Sequence, residues 1–106
     1  MRHGLPASAV ARIRAVLAAH PEVDRAILYG SRATGNFKPG SDIDLTLEGE
    51  GLTHDLLLRI MTELDDLLLP WTIDLSLFKD LNHQALREHI ERVGVVFFSG
   101  EKHTQA

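Results

Sequence analysis

Residues 41–47 read Ser-Asp-Ile-Asp-Leu-Thr-Leu and alternate polar and apolar side chains, as a half-buried β-strand does. Alternate residues of a strand point to the same side of a sheet, so Asp42 and Asp44 share one face and the apolar residues share the other. Two neighbouring carboxylates repel each other unless a cation, a proton or solvent relieves the repulsion. Mg2+ suits this position because it prefers oxygen ligands and completes its octahedron with water and phosphate oxygens. The segment therefore predicts a strand that holds Mg2+.

A second alternating segment, residues 72–77, carries a third acid. It reads Thr-Ile-Asp-Leu-Ser-Leu, which places Asp74 on the polar side of a strand. If this strand lies beside the first, Asp42, Asp44 and Asp74 converge, with room for two metal ions about 3.5–4 Å apart. Asp74 is then also placed to accept the proton of an attacking hydroxyl group. The alternative is that these acids are solvated residues on exposed strands, where charges block aggregation.

A Gly-Ser pair follows the apolar residues 26–29 and precedes a short helical segment, residues 31–34. Backbone N–H groups at the start of a helix attract anions, and glycine lets phosphate approach the backbone closely. We therefore expect Gly30 and Ser31 to bind a nucleoside triphosphate, with the Ser31 hydroxyl donating to a terminal phosphate. Arg32 is expected to add positive charge to this nucleotide site. Two alternatives stay open. Gly30 and Ser31 could form only a turn with a helix cap, and Arg32 could be a solvated or ion-paired side chain.

Along the chain, Gly30-Ser31 is followed after ten residues by Asp42-Ile43-Asp44, and later by Asp74 in a further strand. This arrangement resembles the minimal nucleotidyltransferase family of the DNA polymerase β-like nucleotidyltransferase superfamily, and the resemblance covers residues 26–98. It implies an α/β (α+β) fold with a polymerase β-like core, ATP as the substrate and two Mg2+ ions. It also implies that the three acids are catalytic and bind metal, and that Gly30 and Ser31 bind the nucleotide.

The resemblance further implies a protein partner. Relatives of this kind commonly pair with a small helical HEPN-domain protein in a toxin–antitoxin system, in which the nucleotidyltransferase is the antitoxin. By the same resemblance, it transfers AMP from ATP to a tyrosine hydroxyl of the HEPN-domain toxin (AMPylation) and silences its ribonuclease activity. Two alternatives stay open. One is a non-catalytic antitoxin that masks its partner by binding, and the other is nucleotidyl transfer to a small molecule such as an aminoglycoside.

Composition narrows the classes of function. With 44% hydrophobic and 25% charged residues, we expect one domain over residues 1–106, able to bury about two-thirds of its unfolded surface. A net charge of −4 argues against binding of long nucleic acid, which requires a clustered basic face. Cysteine is absent, which excludes disulfides and thiolate sites and fits a cytoplasmic location. No apolar run approaches the roughly 20 residues that span a bilayer, so no membrane partner is expected.

The remaining periodicities predict how the sheet is covered. Helical spacing of apolar residues predicts helices over residues 6–20 and 82–93, and a third helix that is capped by Thr53 and has an apolar stripe reaching Leu68. Strands are predicted over residues 26–29, 43–47, 72–78 and 95–98. This alternation favours a small mixed β-sheet with helices on one face and the acids on the open face.

Two groups of residues receive no site role. The six histidines show no metal-ligand spacing and are expected at the surface. Residues 67–71 and 95–98, together with Leu58, are more apolar than one helical stripe requires, and we expect them in the core. Trp71 is also an interface candidate, because tryptophan is enriched at binding hot spots.

Overall fold

The computed structural model describes residues 3–100. Helices and strands alternate along this part of the chain: α1 (Ala7–Ala18), β1 (Arg25–Tyr29), α2 (Ser31–Thr34), β2 (Ile43–Glu48), α3 (His54–Asp65), β3 (Ile73–Leu77), α4 (Gln84–Val93) and β4 (Val95–Ser99). A 3-10 helix, Phe78–Asp80, which was not predicted, follows β3. The predicted helices and strands are all present, with ends shifted by one to a few residues. Within residues 3–100, no helix has the length and apolar character needed to cross a membrane.

The four strands form one mixed sheet in the order β3-β2-β1-β4. β1 is antiparallel to β2 and β4, whereas β2 and β3 run parallel. A parallel pair requires a crossover, and the chain passes through α3 between β2 and β3. The predicted mixed sheet is therefore confirmed. The single domain over residues 1–106 stays a prediction, because residues 1–2 and 101–106, including His103, lie outside the described residues.

The hydrophobic core includes the apolar side of the sheet and helices α1 and α3. Fully buried Ile43 of β2, Ile13 of α1 and Ile60 of α3 belong to it. α3 begins where predicted, because the Thr53 side chain accepts a hydrogen bond from the Leu56 N–H at 3.2 Å. Burial of each large aliphatic side chain contributes roughly 1.5–3 kcal/mol. This burial holds the apolar side of β2 inward and leaves its polar side facing away from the core.

α4 contacts the other side of the sheet. A Cβ built at Gly94, just after α4, would lie 2.6 Å from Cγ2 of Ile27, and the ring of His89 packs edge-on against Tyr29 with centroids 6.5 Å apart. Ile27 and Tyr29 alternate along β1 with residues of the core, so they share the face of the acids. The prediction of helices on one face therefore describes α1 and α3, while α4 covers part of the acid-bearing face.

Some apolar residues expected in the core are exposed at the surface. α3 ends at Asp65, and Leu68 lies beyond it with a φ of 55° and 88% of its surface exposed. The predicted stripe to Leu68 is wrong, because the chain leaves the helix through a turn in which the Leu68 N–H donates to the Asp65 carbonyl at 3.0 Å. Leu58 and Val96 are also exposed, whereas Trp71 is partly buried against the core.

Candidate active site

Two of the three predicted acids lie side by side on adjacent strands. In the parallel pair of β2 and β3, Asp44 lies directly opposite Asp74, and on its other side Asp44 lies opposite Tyr29 of β1. Asp42 precedes β2 by one residue, and it is exposed. The structure therefore brings Asp44 and Asp74 together in register, with Asp42 in the loop that leads into β2 rather than in the strand itself.

The environment of Asp44 disfavours its negative charge. Burial raises the pKa of the Asp44 carboxyl group, and repulsion from Asp74 and Asp42 raises it further. A cation between these carboxylates would remove the repulsion and favour the charged form. Such shifts are concentrated at functional sites, where they accompany binding or catalysis.

The Gly30 turn lies directly beside the Asp44 carboxylate. Gly30 has a φ of 77°, a conformation that residues with a Cβ rarely adopt. A Cβ built at this position would overlap Oδ2 of Asp44, so glycine alone leaves space between the turn and the carboxylate. The turn predicted to bind phosphate and an acid predicted to bind metal are therefore neighbours in space.

Ser31 opens α2, as predicted, and is partly buried. The Gly30 carbonyl accepts hydrogen bonds from the N–H groups of Ala33 and Thr34 at 3.1 and 3.2 Å, which closes the first turn of this short helix. The earliest N–H groups of a helix have no carbonyl partner within it, so they can donate to an external anion. Phosphate binding at Gly30 and Ser31 stays a prediction, with a backbone conformation that suits it.

Arg32 differs from the other predicted site residues because it is buried, with 1% of its surface exposed. Its guanidinium donates to the backbone carbonyls of Ser41 at 2.9 and 3.1 Å, of His3 at 2.9 Å and of Pro39 at 3.1 Å. Burial lowers the pKa of the guanidinium. The alternative of a solvated side chain is therefore wrong. A phosphate contact stays a prediction, and the bonds seen here hold the loop that precedes Asp42.

Sequence reasoning missed three hydroxyl groups on the acid-bearing face. The Ser76 hydroxyl donates to Oγ1 of Thr46 at 3.0 Å, and these residues are partners across β3 and β2. Burial raises the pKa of Tyr29, a hydrogen bond with Ser76 lowers it, and the charges of Asp74 and Asp44 raise it. Thr46 and Ser76 each follow a predicted site acid by two residues, so strand alternation was the signal that could have found them.

The described residues supply oxygen ligands without a complete metal cage. Within residues 3–100, no three His, Cys, Asp or Glu side chains are grouped so that they could hold a metal ion. Mg2+ is commonly held by one or two carboxylates, with water and phosphate oxygens completing its octahedron. The adjacent carboxylates of Asp44 and Asp74 therefore fit Mg2+ that is bound together with a nucleotide. The participation of Asp42 and the number of ions stay predictions.

Comparison with known proteins agrees with this geometry. The sequence model of the family described as "Polymerase beta, Nucleotidyltransferase" matches residues 11–103. The chain belongs to the polymerase beta nucleotidyltransferase family. Membership confirms the superfamily predicted from the Gly30-Ser31 turn and the three acids, and it identifies the chain as a nucleotidyltransferase. A search among curated proteins found no match.

Solved structures with the polymerase beta nucleotidyltransferase fold of this chain include toxin–antitoxin complexes. A toxin–antitoxin with AMP-PNP has a TM-score of 0.69 and 19% identity, over 88% of this chain and 75% of that chain. An MntA–HpeT mutant with two aspartate-to-glutamate substitutions has a TM-score of 0.67 and 16% identity, over 88% of this chain and 75% of that chain. An MntA–HepT complex has a TM-score of 0.65 and 17% identity, over 93% of this chain and 76% of that chain. At these identities the likeness establishes the fold.

Proposed function

We propose that this member of the polymerase beta nucleotidyltransferase family is a cytoplasmic, Mg2+-dependent enzyme that transfers AMP from ATP to a hydroxyl group of a partner protein. In this proposal the partner is a HEPN-domain toxin, the acceptor is one of its tyrosines, and the enzyme is the antitoxin. The observation that carries the proposal is the pairing of Asp44 with Asp74 beside the Gly30 turn.

Structures of similar fold support the choice of nucleotide and partner. All three are toxin–antitoxin structures, and one was determined with AMP-PNP, an analogue of ATP. In the mutant, the two substituted aspartates are two residues apart, as are Asp42 and Asp44 here. The shared fold makes the same nucleotide and the same class of partner the first choice for this chain.

Each site residue has a specific role in the proposed reaction. The Gly30 turn and the Ser31 hydroxyl bind the triphosphate, and Asp42, Asp44 and Asp74 hold two Mg2+ ions. Bound Mg2+ would supply the positive charge that neutralises the carboxylates and the phosphate oxygens. Asp74 accepts the proton of the acceptor hydroxyl. The hydroxyl oxygen bonds to the α-phosphorus of ATP, the bond from that phosphorus to the bridging oxygen breaks, and pyrophosphate leaves.

The accessibility of the acids supports an acceptor that arrives from another molecule. Asp74 and Asp42 are exposed, whereas Asp44 between the strands is partly buried. A proton acceptor at the surface can reach a hydroxyl presented by a second chain. The partly buried Asp44, flanked by Tyr29 and Asp74, is better placed to hold a cation than to meet an acceptor.

The test is the intact mass of a co-expressed HEPN-domain partner after incubation with this protein, ATP and Mg2+. We expect a mass gain in whole AMP units with the wild-type protein and no gain with Asp42→Asn/Asp44→Asn. The matched control is Asp65→Asn/Asp66→Asn, which removes two exposed acids at the end of α3 and should transfer AMP normally.

Two other results would point to the alternatives. A stable complex without mass gain, formed equally by the wild type and the Asp42→Asn/Asp44→Asn variant, would indicate an antitoxin that masks its partner. Mass gain on an aminoglycoside or a similar small molecule, with none on the protein partner, would indicate small-molecule nucleotidyl transfer.

A further inference from the structure

Arg32 directly follows the Gly30-Ser31 turn, and its side chain reaches the loop that ends at Asp42. Nε and Nη2 both donate to the Ser41 carbonyl, at 3.1 and 2.9 Å, and Nη2 also donates to the Pro39 carbonyl at 3.1 Å. A guanidinium is a rigid planar fork, so several bonds to one segment fix the position of that segment. The loop is therefore held by the residue next to the turn.

Aromatic rings enclose the guanidinium of Arg32. Its Cζ atom lies 5.1 Å from the centre of the Phe37 ring and 5.9 Å from that of the Trp71 ring. The Trp71 indole N–H donates to the Pro39 carbonyl at 2.9 Å, the same carbonyl that accepts from Arg32. Burial of a charged group is costly unless hydrogen bonds compensate it, and here backbone carbonyls do so. Arg32 is thus fixed within the protein rather than directed into solvent.

Asp42 lies between two neighbours whose backbone groups are held. The Ser41 carbonyl accepts from Arg32, and the Ile43 N–H donates to the Thr72 carbonyl at 2.9 Å. Asp42 itself is exposed. The position of its carboxylate therefore depends on both neighbours, and one of them is set by Arg32.

We infer that Arg32 is a positioning residue, which sets the distance between the Gly30-Ser31 turn and the Asp42 carboxylate by binding the Ser41 carbonyl. The inference rests on the proposed function, in which the turn binds the triphosphate and Asp42 binds Mg2+. It gives Arg32 a role other than the phosphate contact predicted from the sequence. Replacing a group that orients a metal ligand typically weakens metal affinity by about 10–100-fold.

The test compares Arg32→Lys with a matched control, Arg14→Lys. Lysine keeps the charge but cannot form the planar fork of hydrogen bonds. Arg14 makes the same kinds of contact elsewhere: its Nε donates to the Phe97 carbonyl at 2.8 Å, and its Cζ lies 5.6 Å from the centre of the Phe97 ring. Phe97 belongs to β4, the edge strand opposite to β3 in the sheet.

The measurements are AMP-PNP binding by calorimetry with and without Mg2+, and AMP transfer, at a temperature at which circular dichroism shows all variants folded. We expect Arg32→Lys to raise the Mg2+ concentration for half-saturation by about tenfold or more and to lower kcat. The affinity for AMP-PNP without metal should stay at the wild-type value. Arg14→Lys should match the wild type in all three.

Two results with Arg32→Lys would overturn the inference. Weaker AMP-PNP binding without metal, at a normal Mg2+ requirement, would show a phosphate contact. A lower Tm with normal Mg2+ dependence would show a purely structural role. If Arg32→Lys does not fold, Trp71→Phe takes its place, because it removes the indole N–H bond to the Pro39 carbonyl and keeps an aromatic ring. A Mg2+ requirement that does not rise in Trp71→Phe would also overturn the inference that Arg32 is a positioning residue.

The wild-type protein separates this inference from the proposed function. Binding of Mg2+ and AMP-PNP without AMP transfer would reject the proposed reaction, and the Mg2+ requirement of Arg32→Lys would still decide the positioning role. A wild-type protein that binds no AMP-PNP with Mg2+ would overturn both.

Discussion

Asp44 of β2 and Asp74 of β3 are direct partners across a parallel pair of strands. Adjacent strands are about 4.8 Å apart, a distance at which two carboxylates repel each other appreciably. Asp74 is exposed and Asp44 is partly buried, so the pKa of Asp44 is raised first by burial and then by its charged neighbours. The fold therefore holds an unfavourable pair of charges, which a bound cation would stabilise.

Asp44→Asn should stabilise the metal-free protein at neutral pH. The substitution removes the repulsion with Asp74 and Asp42 and keeps a side chain of nearly the same shape. Because these groups are partly solvated, we expect a gain of up to about 1 kcal/mol. Thermal unfolding in the presence of a chelator measures it, with the exposed Glu50→Gln as a charge-matched control. A lower Tm for Asp44→Asn than for the wild type would show that the carboxylate is stabilising.

The Mg2+ requirement should fall as the pH rises. The folded-state pKa of Asp44 lies above its ordinary value of 3.8, so the stability due to its protonated form is complete below 3.8 and is lost as the pH rises through the raised pKa. Mg2+ competes with that proton, so its binding improves over the same range. The Mg2+ concentration at which AMP-PNP binding of the wild type is half-saturated should decrease as the pH is raised from about 4.5 to about 7.5. A Mg2+ requirement of the wild type that does not change with pH would contradict the binding of Mg2+ by Asp44.

Local patterns were sufficient to predict the acid-bearing strands. In residues 43–47 and 73–77, apolar side chains alternate with polar ones, and burial of the apolar side is enough to turn Asp44 and Asp74 to the other face. The turn at Gly30 was also predicted, because the glycine stands where a strand gives way to a helix, and its φ of 77° is a conformation that glycine permits.

Long-range contacts explain what the sequence could not predict. Arg32 is buried because carbonyls accept its N–H groups, and the His3 carbonyl among them is 29 residues away in the chain. No periodicity around Arg32 encodes that contact. In the same way, Gly94 after α4 packs against Ile27 of β1, which brings α4 to the acid-bearing face. Such partners are set by tertiary packing, which a local pattern does not contain.

Gly30→Ala should destabilise the protein and disturb the acid site. Its φ of 77° is strained for alanine, and the new Cβ would overlap the Asp44 carboxylate. We expect a loss of about 1–3 kcal/mol in the free energy of unfolding. Gly40→Ala is the control, because a Cβ there meets no atom within 4 Å. The overlap is tested by denaturant unfolding of Gly30→Ala, Asp44→Ala and the double variant. The change in the free energy of unfolding should be less destabilising in the double variant than the sum of the two single changes. Strictly additive changes would exclude the overlap.

The ionisation of Tyr29 offers a direct measurement of the electrostatics beside Asp44. Tyr29 is the one tyrosine in the sequence, so a spectrophotometric titration reports it alone. Burial, Asp74 and Asp44 raise its pKa above the ordinary 10.0, while the hydrogen bond with Ser76 lowers it. Ser76→Ala should therefore raise the measured pKa, and Asp74→Asn should lower it. Shifts in the opposite directions would contradict the hydrogen bond with Ser76 and the repulsion from Asp74 as causes of the Tyr29 pKa. The stability due to neutral Tyr29 is complete below 10.0 and is lost as the pH rises through the raised pKa. The loss grows with the difference between the folded-state pKa and 10.0, so Asp74→Asn should lose less stability than the wild type when the pH is raised above 10.0.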